Sequence, residues 1–523
     1  LIIKTIEMLS TNLDIRQKWQ NQFKFMMIDE YQDTNVAQYK LIRLLVSEPS
    51  NIAVVGDDWQ SIYSWRGADY RNILNFENDF KDTTIIKLEQ NYRSTEAILD
   101  AAHAVIEKNK QRSKKKLWTA LGSGKPVNIL QLANERAEAE ALVSRIKNAV
   151  DAKIWQYKDF AVLYRTNAQS RTIEEVFIRY NVPYRIYGGL RFYDRKEIKD
   201  VLSYMRLIYQ PLDRISFERI VNVPTRGIGS KSLNDFFAWA ETNKYNLEQA
   251  LINVANHPSI NLKAKNAFIE LNDVLLSCRE MDSLVTLPSL LDSLLRKIDY
   301  FNYLNDGTIQ GESRQENVKE LLSVTQDYQD LGLEGFLEEI SLISDLDNRD
   351  ESSDAVTLMT LHSAKGLEFP IVFMVGMEET LFPHSRSLYD QDDMEEERRL
   401  CYVGMTRAKR ELYLTYVVNR LLYGGVQHNP PSRFLSDIDG EMQSTCLYNR
   451  NLFDNSHDQL DHQSSENNEA RYIPDLAEGD VIYHKIFGEG RVVELEGDNL
   501  VIYFKDKGSK KININFAPIE KIE

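Results

Sequence analysis

Cysteine is nearly missing from this chain: Cys278, Cys401 and Cys446 are the three in 523 residues. They are too few and too far apart for a disulfide framework or a zinc cluster, which points to a reducing, cytoplasmic setting. No apolar run reaches the ~18 residues of a membrane span, and no signal peptide is visible. Positive charge is in deficit, with 63 Lys and Arg against 79 Asp and Glu, a formal net charge of -16. A nucleic-acid partner must therefore meet a local groove rather than a basic body. The hydrophobic set makes up 43% and charged residues 27%, proportions that exclude a largely disordered chain. At roughly 150 residues per domain the length implies three to four domains.

Apolar runs ending in polar residues mark FKFMMIDE (Phe23–Glu30), NIAVVGDD (Asn51–Asp58) and TTIIKLEQ (Thr83–Gln90) as buried strands of a parallel α/β sheet. Ligands in such sheets sit at the carboxyl ends of strands. A second α/β block begins near Leu88, with VNILQLA and DFAVLYRT as strands. Helical periodicity then dominates from about Phe192 to Asp350. Strands return at AVTLMTLHS and PIVFMVGM, so the helical segment reads as an insertion into one sheet domain. Residues 436–470 carry eight acidic residues and one basic one and read as a flexible linker. The segment beyond it alternates apolar and polar residues between glycine turns, the pattern of a small antiparallel barrel.

Asp29 and Glu30 follow the apolar strand FMMI directly. One carboxylate at a strand end can hold Mg²⁺ while its neighbour polarises a water, a pairing suited to nucleoside triphosphate hydrolysis. A solvated acidic pair is the bland alternative, but the surrounding DEYQDTN favours chemistry. The next strand ends in VVGDDWQSIYSWRGAD, where Gln60 can sense a terminal phosphate, and Tyr63, Trp65 and Arg66 form an aromatic and cationic cluster suited to stacking unpaired bases. Ordinary core is the competing reading. The run KNKQRSKKK (Lys108–Lys116) places six cations in nine residues; a solvated face is the simpler account, a phosphate track the other.

DEYQDTN, GDDWQSIYSWRGAD, LEQNYRST, TLMTLHSAKGLEFP and EEERRLCYVGMTRAKREL, in that order and spacing, resemble the motifs of the UvrD/Rep/PcrA family of superfamily-one DNA helicases over essentially the whole chain. The resemblance implies two RecA-like domains of P-loop NTPase type that sandwich ATP. Asp29 would hold Mg²⁺, Glu30 act as general base and Gln60 read the γ-phosphate. Tyr92 would stack on adenine, Glu368 bind the ribose, and Arg93 and Arg407 supply cations to the γ-phosphate. An arginine so placed is worth ~10³ to 10⁵ in rate, whereas outside this context each arginine would read as a surface ion pair. Tyr63, Trp65, Arg66, His362 and Tyr423 would line the single-strand track. Gly227 and Gly229 of NVPTRGIGSKS would cradle a duplex phosphate through backbone amides, a plain helix-helix turn being the alternative.

The implied layout is residues 1–87 for part of the first RecA-like domain, 88–191 and 354–435 for the second, 192–353 for the helical insertion, 436–470 for the linker and 471–523 for a Tudor-like barrel. The implied activity is ATP-dependent 3'-5' unwinding in DNA repair or replication, with RNA polymerase as a partner of the barrel. Two features depart from the pattern. No G-x-x-x-x-G-K-[ST] phosphate loop occurs; GSGKP (Gly122–Pro126) has Thr119 and Pro126 at its defining positions. The chain also opens on Leu1 inside helical LIIKTIEMLS, so truncation before the acidic strand is expected and the fragment alone is expected to be inactive. Trp59 stands where the family places a small or acidic residue. The alternatives are a noncatalytic DNA- or polymerase-binding scaffold and the helicase subunit of a helicase-nuclease.

Overall fold

The structure, a computed structural model, describes residues 1–47, 50–346, 354–438, 443–447, 480–484, 488–496, 499–504, 508–513 and 519–522. It divides into two compact units, 1–452 and 453–523.

The first strands are β1 (Met26–Ile28) and β2 (Ile52–Val54), a parallel pair in register Met26 to Ile52. Each ends in a short 3-10 turn, Tyr31–Asp33 and Asp58–Gln60. The expected strand Thr83–Gln90 does not form over most of its length. Only β3 (Gln90–Asn91) pairs, in parallel with β4 (Trp118–Thr119). Ile85, Ile86 and Leu88 are exposed: an apolar run becomes a strand only where a neighbouring backbone satisfies its N–H and C=O groups.

The larger sheet contains β5 (Val127–Leu132), β6 (Phe160–Tyr164), β7 (Tyr184–Ile186), β8 (Val356–Thr360), β9 (Phe369–Met374) and β10 (Ala408–Val417). A hairpin of β11 (Arg420–Leu422) and β12 (Gly425–Gln427) follows, and β13 (Gln443–Leu447) joins the sheet edge. The seven strands run in the order β13-β5-β10-β9-β6-β8-β7, every pairing parallel. All five residues of β6 are buried, as both-face coverage of a parallel sheet requires. Alternate residues feed two cores, one around Ala161, Leu163 and Met374, the other around Val162, Phe160 and Phe373.

β7 and β8 are sheet neighbours although the whole helical segment lies between them in sequence. That segment runs from helix Lys196–Tyr209 to helix Gly332–Leu346 and has its own core of Phe217, Phe236, Phe268 and Leu291 among others. β13 begins inside the stretch read as linker, pairing with β5 from Gln443 opposite Val127. The remainder of that stretch, from 448, lies outside the described residues.

The second unit holds β14 (Val481–His484), β15 (Gly488–Glu496), β16 (Asn499–Phe504), β17 (Gly508–Asn513) and β18 (Ile519–Ile522). They form an antiparallel sheet in the order β17-β16-β15-β14-β18. A barrel requires its edge strands to pair; β17 and β18 do not pair among the described residues, so the five strands form an antiparallel sheet there and the expected closed barrel is not confirmed.

Candidate active site and nucleic-acid interface

Glu30 adopts a left-handed backbone, φ 50° and ψ 42°, at the start of the turn after β1. Such a conformation is sparsely populated by non-glycine residues and recurs at functional sites. It puts two acidic side chains at one strand end: Glu30 N–H donates to Asp29 Oδ1 at 2.8 Å, and Gln32 Nε2 donates to Glu30 Oε2 at 2.6 Å. Gln32 Oε1 in turn accepts from Asp57 N–H at 2.9 Å, while Asp57 Oδ2 accepts from Gln60 Nε2 at 2.8 Å. The ends of β1 and β2 are thereby wired into one polar array. Gly56 makes the approach possible, because a Cβ there would lie 2.4 Å from Gln32 Oε1.

A cation from the other sheet closes this array. Lys365, in the loop between β8 and β9, is 8% exposed in its side chain, bonds Asp33 Oδ2 and stands 3.4 Å from Glu30 Oε2. Its Nζ also donates to the Gln60 carbonyl at 2.8 Å and lies 5.3 Å from the Tyr63 ring centre. Asp33 Oδ1 is buried without a hydrogen-bond partner.

Arg93, Arg407 and Glu368 come together on the larger sheet. Arg93 Nε donates to Glu368 Oε2 at 2.6 Å, and Lys409 pairs with the other Glu368 oxygen at 2.7 Å. Those bonds, Lys409 first, hold the Glu368 carboxyl down at about 2. Arg407 is buried, donating to the carbonyls of Val403 at 2.9 Å and Leu367 at 3.2 Å. Burial, then the neighbouring Arg93, lowers it to about 10. Tyr92 is 77% exposed, its hydroxyl on Gln90 Oε1 at 2.8 Å, leaving the ring open.

On the other side of Lys365 lies a cavity of about 500 Å³ whose walls include Tyr63, Trp65, Arg66, His362, Tyr187 and Arg386. Trp65 packs edge-on to Tyr63 at 6.3 Å and to His362 at 6.5 Å, with the Arg66 guanidinium 4.4 Å over its ring. Burial, then Arg165, pushes the His362 imidazole down to about 3, so it is neutral near pH 7. Tyr423 lies elsewhere: its hydroxyl meets Thr166 Oγ1 at 3.2 Å and its ring packs on Leu381 and Ala168. Gly227, φ +78° and beside Lys263, and Gly229, at the start of helix Ser230–Thr242, sit far along the chain in the helical segment.

Gln32, Asp33, Asp57, Lys115 and Lys365 were missed as site residues in the sequence, although all but Lys115 fall inside the quoted motifs. GSGKP is no phosphate loop: Gly122 and Ser123 offer carbonyls, not amides, to the N–H groups of Glu96 and Ala97, and Lys125 pairs with Glu411.

The UvrD/REP helicase N-terminal domain family matches residues 1–81, the UvrD-like helicase C-terminal domain family residues 86–419, and the PcrA/UvrD tudor domain family residues 479–521. The N-terminal family match begins at residue 1 of the chain. ATP-dependent DNA helicase PcrA of Staphylococcus aureus (strain NCTC 8325 / PS 47) is 42% identical over 546 residues, covering 100% of this chain and 74% of the relative. The protein of the same description from Leuconostoc citreum is 40% identical with the same coverage.

Proposed function

The chain belongs to the UvrD/PcrA-type superfamily-one helicases and is an ATP-dependent DNA helicase; we propose that it moves 3'-5' on single-stranded DNA by closing and opening two motor lobes around ATP. The lobes are residues 1–87 and, together, 88–191 and 354–435; residues 192–353 form the inserted domain. The observation that carries the reading is Lys365, one side chain of the larger sheet that touches Glu30 and Asp33 on one side and the ring of Tyr63 on the other. Nucleotide chemistry and the base-stacking cavity thus share a structural member. The relatives give no support to a noncatalytic scaffold or a nuclease-linked subunit.

In this reading Glu30 takes a proton from the attacking water and Gln60 orients toward the terminal phosphate. Phosphoryl transfer spreads negative charge over the equatorial oxygens. Arg93 reaches that charge by leaving Glu368, and Arg407 braces it from behind. Glu368, released by Arg93 but still paired with Lys409, faces the ribose, and Tyr92 stacks on the base. Asp29 suits Mg²⁺, which uses one or two carboxylates, phosphate oxygens and several waters; it would neutralise phosphate charge when bound. Tyr63, Trp65, Arg66 and His362 grip successive bases, with Tyr423 supporting the wall through Thr166. Gly227 and Gly229 take a duplex phosphate.

Glu30→Gln in the whole helicase polypeptide is expected to cut DNA-stimulated phosphate release by ~10² to 10⁴ with DNA affinity retained. Undiminished turnover would remove Glu30 as the base. Two further assignments rest on resemblance and composition: a cytoplasmic location, and contact of residues 471–523 with RNA polymerase. Polymerase that co-purifies equally with a protein lacking residues 479–521 would refute the latter.

A further inference from the structure

Trp59 and Lys115 form a junction that none of the roles above employs. Trp59 belongs to the 3-10 turn ending in Gln60, yet its side chain is 1% exposed and buried in the core of the larger sheet. Its indole meets Tyr402 edge-on at 5.5 Å and His103 at 5.6 Å. Lys115, from the run of cations before β4, lies with Nζ 4.3 Å above that indole. The same ammonium bonds Asp57 Oδ1 and stands 3.6 Å from Asp58 Oδ1, its side chain only 15% exposed. Ser113 N–H, two residues earlier, donates to Asp58 Oδ2 at 2.7 Å. The run is therefore turned inward at this point.

Asp57 is the link to chemistry. Its Oδ1 takes Lys115 and the Trp59 N–H at 2.9 Å, and its Oδ2 takes Gln60 Nε2 at 2.8 Å. With one N–H held, the second N–H and the oxygen of the Gln60 amide are left to serve a phosphate oxygen and a water. Asp57 is also an anion beside the place where a terminal phosphate would arrive. Uncompensated, it would repel that phosphate, while a diphosphate, one group shorter, would feel it less. A cation pressed between carboxylate and aromatic face cancels the charge and fixes the geometry together.

We propose that Lys115 is a positioning residue for triphosphate recognition: it acts across the lobes through Asp57 to orient Gln60, and the Trp59 ring is the wall that keeps it there. The proposal rests on Gln60 as reader of the terminal phosphate. It makes discrimination of ATP from ADP depend on contact between lobes, since Lys115 and Asp57 lie on different ones.

The test measures binding of a non-hydrolysable ATP analogue and of ADP to the full-length protein with single-stranded DNA, for wild type, Lys115→Met, Lys115→Arg, Trp59→Phe and Gln60→Ala. Lys115→Met is expected to weaken the analogue about tenfold and leave ADP within about twofold, the scale of one charge-assisted hydrogen bond. Lys115→Arg should recover most of the preference, and Trp59→Phe, which keeps a ring and the core packing, should lose a smaller part of it. Equal weakening of both nucleotides, or of neither, in Lys115→Met and Trp59→Phe overturns the proposal. If Gln60→Ala loses the preference while Lys115→Met keeps it, the positioning role alone fails. If Gln60→Ala keeps it as well, the reading of Gln60 falls, and the proposal with it.

Discussion

Two sheets built from the same kind of apolar strand end in very different surroundings. β6, in the larger sheet, is buried at every residue, whereas Met27 in β1 is 68% exposed and β1 has β2 as its only sheet partner among the described residues. Asp29, Glu30 and Gln60, the carboxylates and amide proposed to serve the triphosphate, sit on the thinner layer, and much of what fixes them comes from the thicker one. Lys365 reaches Asp33 and Glu30, Lys115 reaches Asp57, Trp59 and Ile62 sink into the larger core, and Ser64 N–H donates to Glu396 at 3.2 Å. On the proposed reading, a small sheet whose strand ends are tied down by its neighbour changes its chemistry whenever the neighbour moves.

This contrast can be broken at graded cost. The largest effect is expected from Arg93→Ala, which removes a cation the thick sheet contributes: ATP turnover in the whole helicase should fall by ~10³ to 10⁵ in a steady-state phosphate-release assay, with nucleotide binding nearly intact. A fall below tenfold would mean that Arg93 serves only its pair with Glu368. Next is the cavity. Trp65→Ala should weaken single-stranded DNA by ~1 to 3 kcal/mol, the worth of one stacked base, as read by fluorescence anisotropy, while Tyr423→Phe, outside the cavity lining, should change it little.

The smallest effect is on stability. His362 titrates at about 3 in the fold against an unperturbed 6.5, so folding disfavours its protonated form. Its contribution is whole above pH 6.5 and is lost as pH falls through the window down to about 3. Between pH 6.5 and 5 this amounts to at most about 2 kcal/mol. Denaturant melts of wild type and His362→Asn should converge as pH falls across that window, and parallel curves would show that the imidazole is not responsible.

Much of this was legible in the sequence because continuous apolar runs closed by polar residues leave few options. Phe23–Glu30 and Asn51–Asp58 each contain a parallel strand, Pro370–Met377 contains all but the first residue of one, and the interruption of one sheet by helices is what β7 beside β8 displays. Thr83–Gln90 was misread because a run of Ile and Leu reports hydrophobicity, not the presence of a partner strand. Closure of the antiparallel barrel was not legible for a related reason: alternation predicts strands but not closure. Lys365 was invisible because a lone lysine reads as a solvated cation, and Lys115 because its run of cations reads as a solvated face; only tertiary contact reveals which carboxylate each meets. The aromatic cluster Tyr63, Trp65 and Arg66 was legible, since its members are neighbours in sequence and in space.

The account stands on hydrolysis and lobe movement being one event. A donor and an acceptor dye on exposed positions, one on helix Leu13–Gln22 of the thin-sheet lobe and one on helix Glu135–Asp151 of the other, report the separation of the lobes by energy transfer in the full-length protein on single-stranded DNA. Addition of a non-hydrolysable ATP analogue should shorten that distance, ADP should restore it, and Arg93→Ala should blunt the response. A distance that stays the same with the analogue, with ADP and with neither, while the protein still turns over ATP, would contradict the account.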